Sequence, residues 1–214
     1  MATTLVSPSA PADDADAAAA SAPAAPPVVP SRYVRGTEGA DTFNVSAGPA
    51  DTRLLVAGVG GDDTIRGGAA GDALNGGAGR DALFGNGGDD TITGGAGADR
   101  MAGGGGEDKF VFLAGDFGRA RFGAGAVDTI LDFGGAGARG GDFLEFRGLG
   151  DGARLDFVRE VGGGGGSRQL YAVTYDTNGD APGGVQSFEL QVDMAGGSTA
   201  RLTAADYGFF PIYP

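Results

Sequence analysis

Gly58-Val59-Gly60-Gly61-Asp62-Asp63-Thr64-Ile65-Arg66 opens a stretch that runs without insertion to Val111, and this stretch decides the fold. Written in nines, residues 58–111 are GVGGDDTIR, GGAAGDALN, GGAGRDALF, GNGGDDTIT, GGAGADRMA and GGGGEDKFV. Against the pattern G-G-x-G-x-D-x-U-x, with U a large apolar residue, positions one, six and eight match in all six repeats. Position two is Gly in four of them and position four in five. So regular a period is read before any single residue.

Each half of the nonapeptide has its own physical task. The Gly-rich half enters backbone regions with positive φ that side chains forbid, so it makes a tight turn with carbonyls directed inward. The other half is a strand of about three residues, and only its apolar member (Ile65, Leu74, Leu83, Ile92, Met101, Phe110) faces a core. One repeat makes one turn and one strand, and two repeats make one coil. Repeats n and n+2 then stack about 4.8 Å apart. Asp63, Asp81 and Asp99 form one column, Asp72, Asp90 and Asp108 the other.

These columns place carboxylates beside turn carbonyls. Hard oxygen donors suit Ca²⁺, which takes six to eight of them in flexible geometry. Without a cation, carboxylates at that spacing repel by roughly 3 to 4 kcal/mol at an effective dielectric of about 20. The core is thin, so calcium is expected to be a folding cofactor whose binding free energy becomes folding free energy. Six repeats give four n, n+2 pairs and hence about four repeat-built sites.

Departures from the pattern rank the turns. Val59 and Asn86 replace Gly at position two, and Ala70 replaces it at position four. Asn tolerates positive φ far better than Val or Ala, so Asn86 is expected to be harmless. The turns around Val59 and Ala70 are expected to hold calcium more loosely. The best sites therefore involve repeats 76–84, 85–93, 94–102 and 103–111. Their expected ligands are the aspartates and the carbonyls of Gly76, Gly77, Gly79, Gly85, Gly87, Gly88, Gly94, Gly95, Gly97, Gly103, Gly104 and Gly106. Residues 36–44 fit the pattern at four of five positions, Thr37 being the exception, so Asp41 is a further candidate with no stacking partner assigned.

The whole chain sets bounds. It has 214 residues, with Gly at 45 of them and no G-X-Y period, which excludes collagen. Net charge is −13, which argues against nucleic acid and anionic membranes as partners. There is no Cys and no His, so disulfides, thiol catalysis, Cys- or His-based zinc sites and His-dependent triads are excluded. No stretch approaches the roughly 20 apolar residues of a membrane span. The N-terminus lacks a basic n-region and an apolar h-region, so signal-peptide export is not expected.

Around the array, residues 1–31 are Ala, Pro and Ser with a few acids and read as a disordered tail. Residues 32–57 read as a divergent repeat and cap, with a strand over 52–57. Residues 112–214 read as an all-β domain, with strands over 126–133, 141–146, 154–161, 169–175 and 188–192. Asp128, Asp132 and Asp142 either bind further calcium or line turns. Asp176, Asn178 and Asp180 have the spacing that opens an EF-hand loop, but Ala181 stands where that loop has Gly and Ser187 where it has Glu. A polar β-turn is the competing reading.

The nonapeptide resembles the calcium-binding repeat of the repeats-in-toxin (RTX) proteins. DTILDF at 128–133, GDFLEF at 141–146, YDTNGD at 175–180, FELQV at 188–192 and LTAADY at 202–207 resemble the C-terminal domain of serralysin-type secreted proteins. The resemblance covers roughly residues 36–214, without that family's zinc protease domain. It implies an all-β fold: a right-handed parallel β-roll followed by a C-terminal β-sandwich-like domain. It also implies an uncleaved C-terminal signal for type I secretion, which Asp206 to Pro214 matches only in outline, since that segment contains two prolines. The expected function is a secreted, extracellular, calcium-binding module without catalysis, whose partners are calcium ions and the type I secretion machinery. Alternatives are a calcium-dependent adhesin or matrix protein, or an accessory module of a secreted hydrolase or polysaccharide-modifying enzyme. No Gly-x-Ser-x-Gly elbow and no distinctive acid pair outside the repeats support catalysis.

Overall fold

A computed structural model gives the architecture for residues 31–45, 52–116, 127–135, 141–150, 152–161, 168–176 and 185–211. Fifteen strands are described: β1 Ser31–Arg35, β2 Thr42–Asn44, β3 Arg53–Gly60, β4 Thr64–Arg66, β5 Ala73–Gly79, β6 Ala82–Gly87, β7 Thr91–Gly97, β8 Arg100–Gly105, β9 Lys109–Leu113, β10 Asp128–Phe133, β11 Phe143–Arg147, β12 Arg154–Glu160, β13 Arg168–Asp176, β14 Val185–Met194 and β15 Tyr207–Phe210. They form two sheets, in the orders β1-β3-β5-β7-β9-β11-β15 and β12-β13-β14-β10-β8-β6-β4-β2. From β1 to β11 successive strands alternate between the sheets, and each of β1 to β9 pairs in parallel with the strand two places on, as a β-roll requires. Within the array the register is one full coil of 18 residues, with Ala73 opposite Thr91 and Ala82 opposite Arg100.

All of the array's strands but β4 outrun the expected three residues. β5 and β7 stay in register through Gly77 opposite Gly95 and Gly79 opposite Gly97, because stacked turns of identical shape pair along their backbones as well. The position-eight residues all face the interior: Ile65, Leu83, Ile92, Met101 and Phe110 are fully buried and Leu74 is 2% exposed. Fully burying such a side chain stabilises by about 1.5 to 3 kcal/mol, so this file of residues drives the coil closed.

The C-terminal strands join the same two sheets, so the sandwich-like part is the roll's own layers extended. β11 pairs in parallel with β9, and β15 with β11. β10 lies in parallel between β8 and β14, and β12, β13 and β14 add an antiparallel meander. Aromatics thicken the core here: Phe110 lies 6.3 Å from Phe133, and Phe146 stacks on both Phe112 and Phe209 at 5.2 Å. On the outer side of that sheet the buried Glu145 pairs with Lys109 at 3.0 Å and with Arg147. Among the described residues, no helix is long and apolar enough to cross a membrane.

The expected strands over 52–57 and in the C-terminal half correspond to β3 and β10 to β14. β1 had no signal in the sequence. Ser-Arg-Tyr-Val-Arg pairs with Arg53 to Ala57, and it is that partner which makes it a strand. The tail before residue 31, Asn178 and Asp180, and the final Ile212 to Pro214 lie outside the described residues.

Candidate metal centre

Every repeat aspartate is buried, none more than 2% exposed, on a protein whose charge is strongly negative. Each uses Oδ1 in the same way, accepting a hydrogen bond from the backbone N–H of the residue one coil earlier. Asp63 N–H donates to Asp81 at 2.8 Å, Asp81 to Asp99 at 2.9 Å, Asp72 to Asp90 at 2.7 Å and Asp90 to Asp108 at 3.0 Å. The ladders also extend past the repeats. Asp41 N–H donates to Asp63, which supplies the stacking partner the sequence left unnamed. Leu54 N–H donates to Asp72, Asp99 to Asp128 and Asp108 to Asp142. Asp128 and Asp142 are thus the next rungs. Asp132 lies beside the second ladder, with its carboxylate accepting from Gly103 and Gly104 N–H at 3.0 Å.

Oδ2 behaves differently. On Asp63, Asp81, Asp90, Asp99 and Asp108 it is buried and has no hydrogen-bond partner. An unsatisfied buried polar group costs about 1 to 3 kcal/mol, and more if charged, so five in register call for a ligand.

The surroundings of Oδ2 show which donors stand beside it. A Cβ on the position-one glycine would run into the Oδ2 of its own repeat's Asp and, from the coil above, into the next position-one carbonyl. For Gly76 and Gly85 the carbonyls of Gly94 and Gly103 lie 2.6 Å from that point, with Asp81 and Asp90 Oδ2 closer still. From below, the carbonyls at positions two and four are directed toward the next coil. Gly77 O lies against Gly95 and Gly79 O against Gly97, as Asn86 O does against Gly104 and Gly88 O against Gly106. Between turns 58–63 and 76–81, 76–81 and 94–99, and 85–90 and 103–108 there thus lie one carboxylate oxygen and three carbonyl oxygens, and Gly at position one leaves room beside the carboxylate. Among the described residues no three acidic side chains converge, so a cation here takes most of its protein ligands from the backbone. The donor set is all hard oxygen and fits Ca²⁺.

The turns need positive φ at positions two and four to aim these carbonyls. Gly77 and Gly79, Gly95 and Gly97, and Gly104 and Gly106 supply it. Asn86 (φ 78) with Gly88 does so too, and the Asn86 side chain donates to Gly67 O at 2.7 Å. Val59 is forced to φ 92, so turn 58–63 keeps the shared geometry in spite of a β-branched residue. Gly87, at position three, is only in ordinary contact with Ala69 at 3.8 Å.

Burial pushes these carboxyls up. Asp90 and Asp99 rise to about 8, Asp128 to about 7 and Asp142 to about 6, chiefly by desolvation, with neighbouring carboxylates adding to it. Desolvation likewise raises Asp81 and Asp108. A carboxyl raised in the folded state stabilises the fold at pH below its ordinary value, and this contribution is lost as pH rises through the folded value. In chelator, the chain is thus expected to gain β structure as pH falls from about 8 to about 5. With calcium the affinity should fall over the same interval, because bound ligands must be deprotonated. Circular dichroism and calcium titrations at both pH values check the two opposed trends.

Parallel coils, aspartate ladders and oxygen-lined gaps define a calcium-binding parallel β-roll. Residues 56–83 and 76–110 match the RTX calcium-binding nonapeptide repeat, so this part of the chain is an array of that repeat family. Solved structures that the chain resembles include two modules of the Azotobacter vinelandii mannuronan C5-epimerase, both solution structures. The AlgE6R2 subunit is 31% identical over 78% of this chain and 98% of that one, with a TM-score of 0.48. The AlgE6R3 subunit is 26% identical over 85% and 81%, with a TM-score of 0.40. No curated protein sequence matches the chain.

Proposed function

We propose that the chain is a secreted calcium-responsive module whose roll folds on binding extracellular calcium. The observation that carries this reading is the row of buried, unpartnered Oδ2 atoms on Asp63, Asp81, Asp90, Asp99 and Asp108. Three sites are complete within the repeats. Asp63 with Gly76, Val59 and Gly61 carbonyls makes the first. Asp81 with those of Gly94, Gly77 and Gly79 makes the second, and Asp90 with those of Gly103, Asn86 and Gly88 the third. Bound there, calcium supplies positive charge against the stacked carboxylates. The chain's own part is to hold Oδ1 on the ladder so that Oδ2 faces the gap.

Such a chain stays unfolded where calcium is scarce and folds where it is near millimolar, the range in which extracellular sites typically have Kd of roughly 10⁻⁴ to 10⁻³ M. This suits passage through a type I exporter in an unfolded state. Residues 207–210, part of the segment that resembles an export signal, pair with β11 once the roll has formed. They are therefore available to the exporter only before folding. The module has no catalytic task in this reading, since the ladder aspartates are committed to backbone and cation.

Asp90→Asn tests the assignment. It keeps an oxygen for the Asp72 N–H and replaces the charged Oδ2 with an amide. Calorimetric titration of the full chain should then show about one calcium fewer, or one site weakened at least about tenfold. Unchanged stoichiometry and affinity would remove Asp90 from the ligand set.

A further inference from the structure

Two turns of the ladder are built differently. In turns 36–41 and 67–72 neither position two nor position four has positive φ, whereas the other five turns have it at both. With that change, Oδ2 is no longer alone. Asp72 Oδ2 accepts from Gly68 N–H at 2.7 Å, and Asp41 Oδ2 accepts from Thr37 N–H at 2.7 Å and from Thr37 Oγ1 at 2.9 Å. The position-two carbonyl is also taken: Gly68 O accepts from Gly87 N–H at 3.3 Å, and Thr37 O from Gly60 N–H at 3.1 Å. Beneath Gly88, where turn 85–90 presents its position-four carbonyl to the coil above, turn 67–72 offers instead the carbonyl carbon of Ala70 and the N–H of Gly71, each at 2.5 Å from a built Cβ.

We infer that turn 67–72 is a calcium-free rung, closed by its own Gly68 N–H, and that Ala70 is the residue that closes it. The inference rests on the calcium-binding reading above and refines which turns take the ion. Among the six contiguous repeats this is the only one without Gly at position four. Its position-two residue, Gly68, is unrestricted, so Ala70 is what departs. Val59 shows that strain at one position can be imposed on a turn; turn 58–63 is held between turns 36–41 and 76–81 by Asp41 N–H on Asp63 and Asp63 N–H on Asp81. Asp72 keeps its ladder bond to Leu54 N–H and becomes a capping residue in place of a ligand. Both described columns thereby begin on a rung that needs no metal, Asp41 in one and Asp72 in the other, and calcium is taken up only on the coils that follow.

The test is a gain of function. Ala70→Gly removes one methyl group and restores the full pattern, so titration of the full chain should rise by one bound calcium over wild type. Crystals of the calcium-loaded wild type, read by anomalous scattering, should show ions beside Asp63, Asp81 and Asp90 and none beside Asp72. In Ala70→Gly crystals a peak should appear beside Asp72. An ion beside Asp72 in the wild type, or an unchanged stoichiometry in Ala70→Gly, overturns this inference while leaving calcium binding intact. Absence of calcium from every turn overturns both.

Discussion

Gly97→Ala should abolish the calcium-induced fold of the roll. Gly97 sits at position four of the turn that stacks on 76–81, with φ 146, and an added Cβ would lie 1.6 Å from Gly79 O. That carbonyl is one of the oxygens facing the gap above Asp81, so it cannot turn aside without being lost from the cation site. The methyl group therefore forces the coils apart at the centre of the array. Backbone strain in the left-handed region costs roughly 1 to 2 kcal/mol, and loss of coil contact and of one site comes on top. A total of more than about 3 kcal/mol is expected, a large part of the 5 to 15 kcal/mol that stabilises a domain. Gly115→Ala is the matched control, because a Cβ there meets nothing within 4 Å. Circular dichroism at saturating calcium should show β structure in Gly115→Ala and little in Gly97→Ala. A folded Gly97→Ala protein with wild-type affinity would mean that the coils are not stacked as described.

Removal of calcium is the second large effect. At the three proposed sites the buried Oδ2 atoms of Asp63, Asp81 and Asp90 lose their counter-charge, in two columns whose neighbours are one coil apart. Repulsion of roughly 3 to 4 kcal/mol per adjacent pair, at an effective dielectric of about 20, is not offset by a core only two sheets thick. Calcium offsets this to a degree set by its excess over Kd, by about 1.4 kcal/mol per site at tenfold and about 4.1 at a thousandfold excess. The loss should not stop at the repeats. β10 lies against β8, and β11 against β9, so the C-terminal strands are laid on the array and depend on it.

Much of this was legible because the repeat is strict. A residue that must be apolar every nine positions names the core file, and the burial of Ile65 through Phe110 follows from it. The invariant Asp likewise names both columns. Asp128-Thr129-Ile130 restates Asp63-Thr64-Ile65 and Asp90-Thr91-Ile92, and that is the signal by which the ladder's continuation to Asp128 could have been read. Spacing concealed it, because Asp128 follows Asp99 by 29 residues and Asp142 follows Asp108 by 34, where the array uses 18. The closure at Asp72 was less visible. The sequence ranked both Val59 and Ala70 as weakening, yet the two turns adopt different backbones, with positive φ at Val59 and Gly61 and at neither Gly68 nor Ala70. β1 was invisible for a related reason, since its strand character comes from pairing with β3.

The most direct test of the account is a calcium titration of the metal-free chain at neutral pH, followed by far-UV circular dichroism with magnesium as control. A cooperative coil-to-β transition is expected in the sub-millimolar to millimolar range, reversed by chelator and not produced by magnesium. A flat titration, with the chain either fully β without calcium or without β structure throughout, would contradict it.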